Sequence, residues 1–339
     1  MDQKNNETSF MIQFLNIPAT EQKKIYQDIS NRVGLPPQAV EKDVWVTLML
    51  RMIFTSELSD HLIFKGGTSL SKAFGLIQRF SEDIDLGINR KYLGFEGDLS
   101  KGQIRKLRRA CHTFVSNDLS ALLKQQLDKH GVDESLYTIL VENTQVSDQD
   151  PETIKIQYNS LFDDVFYLPK RVLIEVSARS LIEPNDLIQI NSLLDTEYPD
   201  ANFSEPGFNV HTTNPQKTFL EKLILLHEEF QKPADKIRYL RMSRHFYDIG
   251  EILESDYGKE ALKNTALFES IVEHRKVLTP MKTTNYENMT LKDLDIIPPK
   301  EQLENYRSDY KEMQNSMIHG ASFSFDTTLN KILNGLRGL

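Results

Sequence analysis

Two aspartates close together in an apolar run are the residues whose types and spacing most directly suggest chemistry. Asp83 and Asp85 are separated by one residue in Asp-Ile-Asp-Leu-Gly-Ile, a pattern typical of a β-strand. Because side chains alternate along a strand, both carboxylates would project from the same face. Adjacent carboxylates on a half-buried strand repel each other unless a cation lies between them. The spacing predicts a divalent-cation site, and Mg²⁺ suits it because Mg²⁺ binds one or two carboxylates together with substrate phosphates.

A pair of glycines precedes these aspartates in Phe-Lys-Gly-Gly-Thr-Ser-Leu-Ser-Lys, where a turn leads into a helix. Gly66 and Gly67 allow the backbone to approach a ligand closely, and the first N–H groups of the helix favour an anion. An anion-binding turn followed by paired carboxylates is the arrangement of a nucleotidyl-transfer centre. Without the glycine turn, an Asp-x-Asp sequence is better interpreted as a solvated strand end.

Other charged residues have two interpretations each. Glu175 lies inside the apolar strand Leu-Ile-Glu-Val and is either a third metal ligand or an outward-facing strand residue. Lys222 flanks the apolar stripe of a predicted helix and either binds phosphate or extends along the surface. Arg244 and Asp248 have the spacing of a helical salt bridge. Three cations flank the glycine turn, Lys65, Lys72 and Arg79. Each would contact phosphates, RNA or only solvent.

The composition excludes several classes of protein. The 339 residues include 40 Lys and Arg against 49 Asp and Glu, a net charge of -9 that argues against a general nucleic-acid coat, although segments 101–109 and 238–244 are locally basic. The single cysteine, Cys111, excludes an intramolecular disulfide and fits a reducing cytoplasm. No Walker A motif, Ser-His-Asp arrangement or zinc-ligand spacing is present. The N-terminus lacks the apolar core of a signal peptide, and the longest apolar run is too short to span a bilayer, so we expect a soluble cytoplasmic protein.

Hydrophobic periodicity predicts helices and strands in the first two thirds of the chain and an all-α C-terminal region, which together indicate an α+β fold. The mixed sheet with flanking helices that we expect for its core is what the family resemblance described below implies. We expect three parts: N-terminal helices over 1–60, a nucleotidyltransferase core over 61–210 and a helical domain over 211–339. The predicted helices are 20–33, 37–54, 69–76, 102–129, 216–231, 238–255, 259–277, 299–317 and 325–336. The predicted strands are 62–64, a strand carrying Asp83 and Asp85, 137–142, 153–158, 171–178 and one short strand within the loops of 182–207.

Taken together, these motifs resemble those of the AbiEii/AbiGii nucleotidyltransferase toxin family, a branch of the DNA polymerase β-like fold. The glycine turn and the segment Arg-Phe-Ser-Glu-Asp-Ile-Asp-Leu carry the resemblance, with Glu-Lys-Asp-Val-Trp-Val-Thr at 41–47. Two later motifs also match: Lys-Thr-Phe-Leu-Glu-Lys at 217–222 and Ser-Arg-His-Phe-Tyr-Asp at 243–248. The similarity covers roughly residues 35–335.

The resemblance implies a role for each matching residue. Asp83 and Asp85, with Glu175 less securely, would bind Mg²⁺ or Mn²⁺. Lys222 would be the phosphate-binding lysine and Asp248 a second active-site acid. The nucleotide-binding residues would be Gly66, Gly67, Thr68, Ser69, Lys72, Ser81 and Lys222. An RNA acceptor would also need positive charge beside the cleft, which Arg79, Arg241 and Arg244 could supply.

The implied reaction is metal-dependent transfer of a nucleoside monophosphate from an NTP to RNA, at a tRNA 3′ end. Such an enzyme would act as the toxin of a toxin–antitoxin or abortive-infection system, opposed by a cognate antitoxin. Two alternatives remain open at this point. The acceptor could be a protein or a small molecule, or the chain could be a regulatory module that binds NTP without turnover.

Overall fold

The computed structural model describes residues 10–81, 83–142, 150–163 and 168–338. The chain divides into two compact units. Met1–Phe64, Glu82–Ser180 and Leu187–Thr212 form the first, which we call the sheet unit; Lys65–Ser81, Leu181–Asp186 and Thr213–Leu339 form the second, the helical unit. The three-part division predicted from the sequence stays a prediction.

A seven-stranded mixed sheet lies at the centre of the sheet unit, with the strand order β3-β4-β5-β2-β1-β7-β6. β1 pairs with β7 and β2 with β5 in parallel, whereas β3–β4 and β4–β5 are antiparallel. This mixed sheet with flanking helices confirms the predicted α+β class. The strands are β1 (Leu62–Lys65), β2 (Ile84–Ile88), β3 (Tyr137–Glu142), β4 (Glu152–Tyr158), β5 (Arg171–Ser177), β6 (Asn185–Ile190) and β7 (Phe208–Thr213).

The alternation of apolar residues decides which face of the central strands is buried. Ile84, Ile174 and Ile154 are aligned across β2, β5 and β4 and are fully buried. The residues that follow them in register, Asp85 and Glu175, are therefore on the opposite face and half-buried. The same pattern that builds the core thus places two carboxylates side by side.

Helices cover the sheet within the sheet unit. Pro37 is the first residue of α3, a position where the missing N–H group of proline costs nothing. Most side chains of α3 are buried. Ser100 and Gln103 form a capping box at the start of α5. The helices of this unit are α1 (Phe10–Asn16), α2 (Ala19–Val33), α3 (Pro37–Phe54), α5 (Lys101–Thr113), α6 (Ser120–His130) and α7 (Leu193–Glu197).

The helical unit has a core of its own, rich in aromatic side chains. Phe246 packs edge-on against Tyr306 and Phe325, with ring centroids 5.8 and 5.1 Å away. Leu70 and Ile77, from the segment that carries the glycine turn, belong to this core. The helices of this unit are α4 (Gly66–Lys72), α8 (Pro215–Phe230), α9 (Ser243–Glu254), α10 (Asp256–Ala261), α11 (Thr265–Leu278), α12 (Lys300–Ser316) and α13 (Phe325–Arg337).

Several predicted boundaries are wrong for identifiable reasons. The helix predicted from Arg238 begins at Ser243, because Arg241 has a left-handed backbone with φ 59°, which an α-helix cannot include. The helix predicted over 259–277 is two helices, since the Asn264 side chain caps a new one by accepting a hydrogen bond from Leu267 N–H. The helix predicted over 102–129 contains a π-helical segment, Phe114–Leu119.

The glycine-turn helix and one strand also differ from the prediction. α4 begins at Gly66 and ends at Lys72, whereas the sequence pattern places it over 69–76. β7 was not predicted at all. Among the described residues, no helix combines the length and apolar character that crossing a membrane requires.

Candidate active site

The sheet unit carries the three carboxylates that the sequence predicts as metal ligands, and it pairs two of them on neighbouring strands. Asp85 on β2 and Glu175 on β5 are direct partners across a parallel strand pair. Neighbouring parallel strands present paired residues on the same face, so the two side chains lie next to each other. Asp83 comes immediately before β2, and all three residues are half-buried. β4 continues the same row with Thr153, which is the partner of Glu175.

These carboxylates fit an open site for a hard cation. Within the described ranges, no group of three or more His, Cys, Asp or Glu side chains is gathered closely enough to hold a metal ion by itself. Mg²⁺ does not need such a group, because it keeps several water molecules and completes its octahedron with substrate phosphates. The donors Asp83, Asp85 and Glu175 are all oxygens, as Mg²⁺ and Mn²⁺ prefer. They could hold the ion only together with a bound nucleotide.

In the helical unit, the glycine turn leads directly into α4. Gly66 has φ 81°, a left-handed conformation that glycine adopts without strain. Thr68 and Ser69 are buried, and their hydroxyl groups bind within the unit: Thr68 Oγ1 donates to Ser81 Oγ at 2.9 Å, and Ser69 Oγ to the Gly66 carbonyl at 2.9 Å. Four of the predicted nucleotide-binding residues therefore form one compact structure. Lys72 ends the same helix and is half-buried.

Gly67 lies against the side chain of Arg79. A β-carbon added at Gly67 would be 2.4 Å from Arg79 Nη2 and 2.9 Å from Ser81 Oγ. Both distances are shorter than atoms tolerate, so any larger residue would displace the guanidinium. The second glycine of the motif is therefore needed for close packing within the protein, whether or not a ligand also approaches its backbone.

Arg79 is fixed by backbone hydrogen bonds of the residues on either side of it and by an ion pair of its own side chain. Phe80 N–H donates to the Met317 carbonyl at 2.7 Å, and His319 N–H donates to the Gln78 carbonyl at 3.1 Å. The guanidinium forms a bidentate ion pair with Asp248 on α9: Nε is 2.6 Å from Oδ1 and Nη2 is 2.7 Å from Oδ2. Arg79 is 3% exposed and Asp248 is fully buried. This arrangement favours a positioning role for Arg79 over contact with an acceptor.

Lys222 on α8 is the third member of this cluster. Its ammonium lies 3.0 Å from Asp248 Oδ2 and 3.4 Å from His245 Nδ1, and 11% of its side chain is exposed. An ammonium can only donate hydrogen bonds, so Nδ1 is the acceptor and His245 is neutral. Lys222 is thus fixed by two groups of α9.

The electrostatics of the cluster follow from its charges. Burial alone would raise the pKa of Asp248, but the attraction and hydrogen bonds of Arg79 and Lys222 outweigh burial and hold that pKa well below its usual value. Burial lowers the pKa of Lys222; Asp248 opposes this effect and Arg79 reinforces it. Burial and the charges of Lys222 and Arg244 keep the pKa of His245 far below its ordinary value. When Lys222 is protonated, two cations share one carboxylate, and one positive charge is in excess.

Sequence reasoning found the residues of this cluster but missed how they pair. It considered Arg244 as the partner of Asp248, whereas both carboxylate oxygens are bound by Arg79 and Lys222. Arg244 is half-buried one turn before Asp248 on α9, and Arg241 is exposed in the preceding loop. The Arg241 N–H donates to Asp309 Oδ1 at 2.7 Å. No local sequence pattern links Arg79 to Asp248, because the two residues are 169 positions apart.

One protein family matches most of the chain. The model of the family described as "Nucleotidyl transferase AbiEii toxin, Type IV TA system" matches residues 47–331. The chain belongs to the AbiEii family. The AbiEii match confirms the resemblance found in the sequence and identifies the chain as a nucleotidyltransferase toxin of a type IV toxin–antitoxin system, a class of enzyme whose substrate is an NTP.

Solved structures and curated proteins were also compared with this AbiEii chain. MenT4, a nucleotidyltransferase toxin from Mycobacterium tuberculosis, is similar with a TM-score of 0.48 and 14% identity over 93% of this chain and 98% of its own. JHP933 from Helicobacter pylori is similar with a TM-score of 0.38 and 12% identity over 89% of this chain and 99% of its own. No curated protein matches the chain.

Proposed function

We propose that this AbiEii enzyme transfers a nucleoside monophosphate from an NTP to an RNA acceptor, at a tRNA 3′ end, in a Mg²⁺-dependent reaction. The observation that carries the proposal is the placement of Asp85 opposite Glu175, two residues after Asp83. A row of half-buried carboxylates on one sheet face is costly unless it binds a cation. Antitoxin control of this activity belongs to the same proposal.

In this proposal Asp83 and Asp85 would hold the metal, with Glu175 as a third ligand. When bound, Mg²⁺ neutralises charge on the α-phosphate and lowers the pKa of the acceptor hydroxyl. The hydroxyl oxygen forms the new bond to the α-phosphorus and its proton is released to solvent, while the bond from that phosphorus to the bridging oxygen breaks and pyrophosphate leaves. No side chain becomes covalently attached, so the chain contributes positioning and electrostatics.

Lys222 is the residue that we assign to the triphosphate. Its cluster has one positive charge in excess, so a phosphate oxygen that reaches the ammonium can complete its set of hydrogen bonds. Asp248 and His245 orient the ammonium, and Arg79 satisfies the rest of the Asp248 carboxylate. We assign the backbone of Gly66–Ser69, with Lys72 and Ser81, to the remaining phosphate contacts. Arg241 and Arg244 are assigned to the RNA backbone.

Incubation with Mg²⁺, each NTP in turn labelled at the α-phosphate and total tRNA tests the proposal. The Asp83→Asn/Asp85→Asn variant is the control, because it keeps the shape of both side chains and removes their charge. We expect label on tRNA with the wild-type protein only. Label on protein instead would show that the acceptor is a protein and would contradict the RNA part of the proposal. NTP binding without transfer to any acceptor would contradict the proposal and favour a regulatory module.

A further inference from the structure

Three consecutive charged residues of α3, Glu41, Lys42 and Asp43, have no part in the proposed reaction. Glu41 is 2% exposed and Lys42 is 1% exposed. A buried charge is expensive unless hydrogen bonds and opposite charges surround it. The partners of these side chains therefore indicate what the charges do for the protein.

Glu41 binds the chain just after β4 ends. Its Oε2 accepts a hydrogen bond from Ser160 Oγ at 2.5 Å, and its Oε1 accepts one from Leu161 N–H at 2.8 Å. β4 ends at Tyr158, so these contacts hold the first residues of the connection between β4 and β5. Burial raises the pKa of Glu41, and the two hydrogen bonds oppose that effect.

Lys42 binds the other end of the same connection. Its Nζ donates to the Pro169 carbonyl at 2.8 Å, and β5 begins two residues later, at Arg171. Trp45, one turn further along α3, stacks on Tyr158 with ring centroids 5.2 Å apart. α3 thus holds the end of β4 and the start of β5 through neighbouring residues.

The register of β5 determines where Glu175 lies. β4 pairs Thr153 with Glu175, and β2 pairs Asp85 with Glu175. A shift of β5 by one residue would move Glu175 to the opposite face and bring Ile174 beside Asp85. Contacts that fix both ends of the β4–β5 connection oppose such a shift.

We propose that Glu41 and Lys42 are positioning residues that hold β5 in the register that sets Glu175 opposite Asp85. The proposal rests on the proposed function in one respect, the role of Glu175 in metal binding. Asp43 provides a matched control from the same motif. Its Oδ2 accepts a hydrogen bond from Leu193 N–H at 2.7 Å at the start of α7, away from the β4–β5 connection.

The first test measures amide hydrogen exchange in residues 171–177 of the full-length protein without metal. Lys42→Met keeps the methylene packing and removes the donor, and Glu41→Gln keeps the shape and removes the charge. We expect faster exchange across β5 in both variants and wild-type exchange there in Asp43→Asn. Unchanged exchange in both variants, or equal acceleration in Asp43→Asn, would overturn the proposal.

The second test measures Mn²⁺ affinity by electron paramagnetic resonance in the presence of a saturating non-hydrolysable NTP analogue, with Mn²⁺ as the probe for Mg²⁺. Residues that orient a metal ligand typically change affinity about 10- to 100-fold, so we expect Lys42→Met to weaken binding by about tenfold. Glu175→Gln should weaken it similarly, and the double variant should show little further loss because both changes act through one ligand. Additive losses in the double variant would overturn the link from α3 to Glu175. If the wild-type protein bound no Mn²⁺, the proposed function would fail, and hydrogen exchange would still decide whether α3 holds β5.

Discussion

Arg79 and Asp248 form a fully buried bidentate ion pair, with Nε 2.6 Å from Oδ1 and Nη2 2.7 Å from Oδ2. The pair joins the segment after the glycine turn to α9, and Lys222 shares the same carboxylate at 3.0 Å. Two motifs that are far apart in the sequence thus meet on one aspartate. The geometry makes Asp248 the residue that orders both cations.

Removing one partner of this ion pair should be strongly destabilising. Arg79→Leu would leave the buried Asp248 with Lys222 alone, and breaking a buried pair in this way costs about 3–5 kcal/mol. Arg79→Lys should also lose stability, since lysine cannot form two parallel hydrogen bonds. Urea denaturation measures the free energy of unfolding. Arg307→Leu, which removes an exposed pair with Asp326 in the same unit, is the control and should change stability far less. Equal losses in the two variants would contradict the role of the buried pair.

Gly67→Ala should disturb the same cluster from the other side. The added methyl group would meet Arg79 Nη2 at 2.4 Å and force the guanidinium away from Asp248. We expect reduced stability and reduced nucleotidyl transfer. Gly102→Ala on α5 is the matched control, because its nearest neighbour, Ser100 Oγ, is 4.0 Å away. Since alanine favours a helix over glycine by about 1 kcal/mol, the control should be neutral or stabilising. Full activity of Gly67→Ala would show that Arg79 does not depend on this contact.

Lys222→Met should weaken NTP binding while leaving the fold intact. Asp248 keeps its two hydrogen bonds from Arg79, so no buried carboxylate is left without a partner. A hydrogen bond to a charged group contributes about 1.5–3 kcal/mol, so we expect roughly 10- to 100-fold weaker binding. Calorimetric titration with a non-hydrolysable NTP analogue measures the change. Lys259→Met, at an exposed lysine of α10, should bind as the wild type does. Unchanged affinity in Lys222→Met would remove Lys222 from the phosphate site.

The neutral His245 should make stability depend on pH. Its pKa is lowered in the folded protein, so below the ordinary value of about 6.5 the unfolded chain takes up a proton that the folded chain does not. The stabilisation is complete above that pH and is lost as the pH falls toward the folded-state pKa. His245→Asn, whose amide oxygen can still accept from Lys222, should reduce this slope by up to about 1.4 kcal/mol per pH unit. Urea denaturation of both proteins between pH 7 and pH 5 gives the free energy of unfolding at each pH. The same pH dependence in the wild type and in His245→Asn would contradict this prediction. The pKa values of His130, His227 and His319 are also lowered, so these residues retain part of the slope.

Local patterns were sufficient to predict β2 and β5 and the carboxylates that these two strands carry. The period of two in β2 and β5 places Asp85 and Glu175 on the face opposite Ile84 and Ile174, and the structure aligns them in one register. The glycine turn likewise indicates a close approach of the backbone. These features depend on residues near one another in the sequence.

Pairings between distant residues could not be predicted in this way. Asp248 has a plausible local partner in Arg244, and only the packing of the helical unit brings Arg79 to it. The contacts of Glu41 and Lys42 with the β4–β5 connection involve residues more than a hundred positions away. Helix starts also depend on such contacts, because Asp309 accepts the Arg241 N–H and the Ser243 N–H just where α9 begins.

The fate of the two ends of the triphosphate tests the central claim most directly. The NTP that supports transfer would be supplied with label at either the α- or the γ-phosphate, in the presence of Mg²⁺ and tRNA. Nucleotidyl transfer predicts that the α-label enters RNA and the γ-label is released in pyrophosphate, with both signals lost in Asp83→Asn/Asp85→Asn. Transfer of the γ-label to the acceptor, or release of inorganic phosphate without labelled RNA, would contradict it.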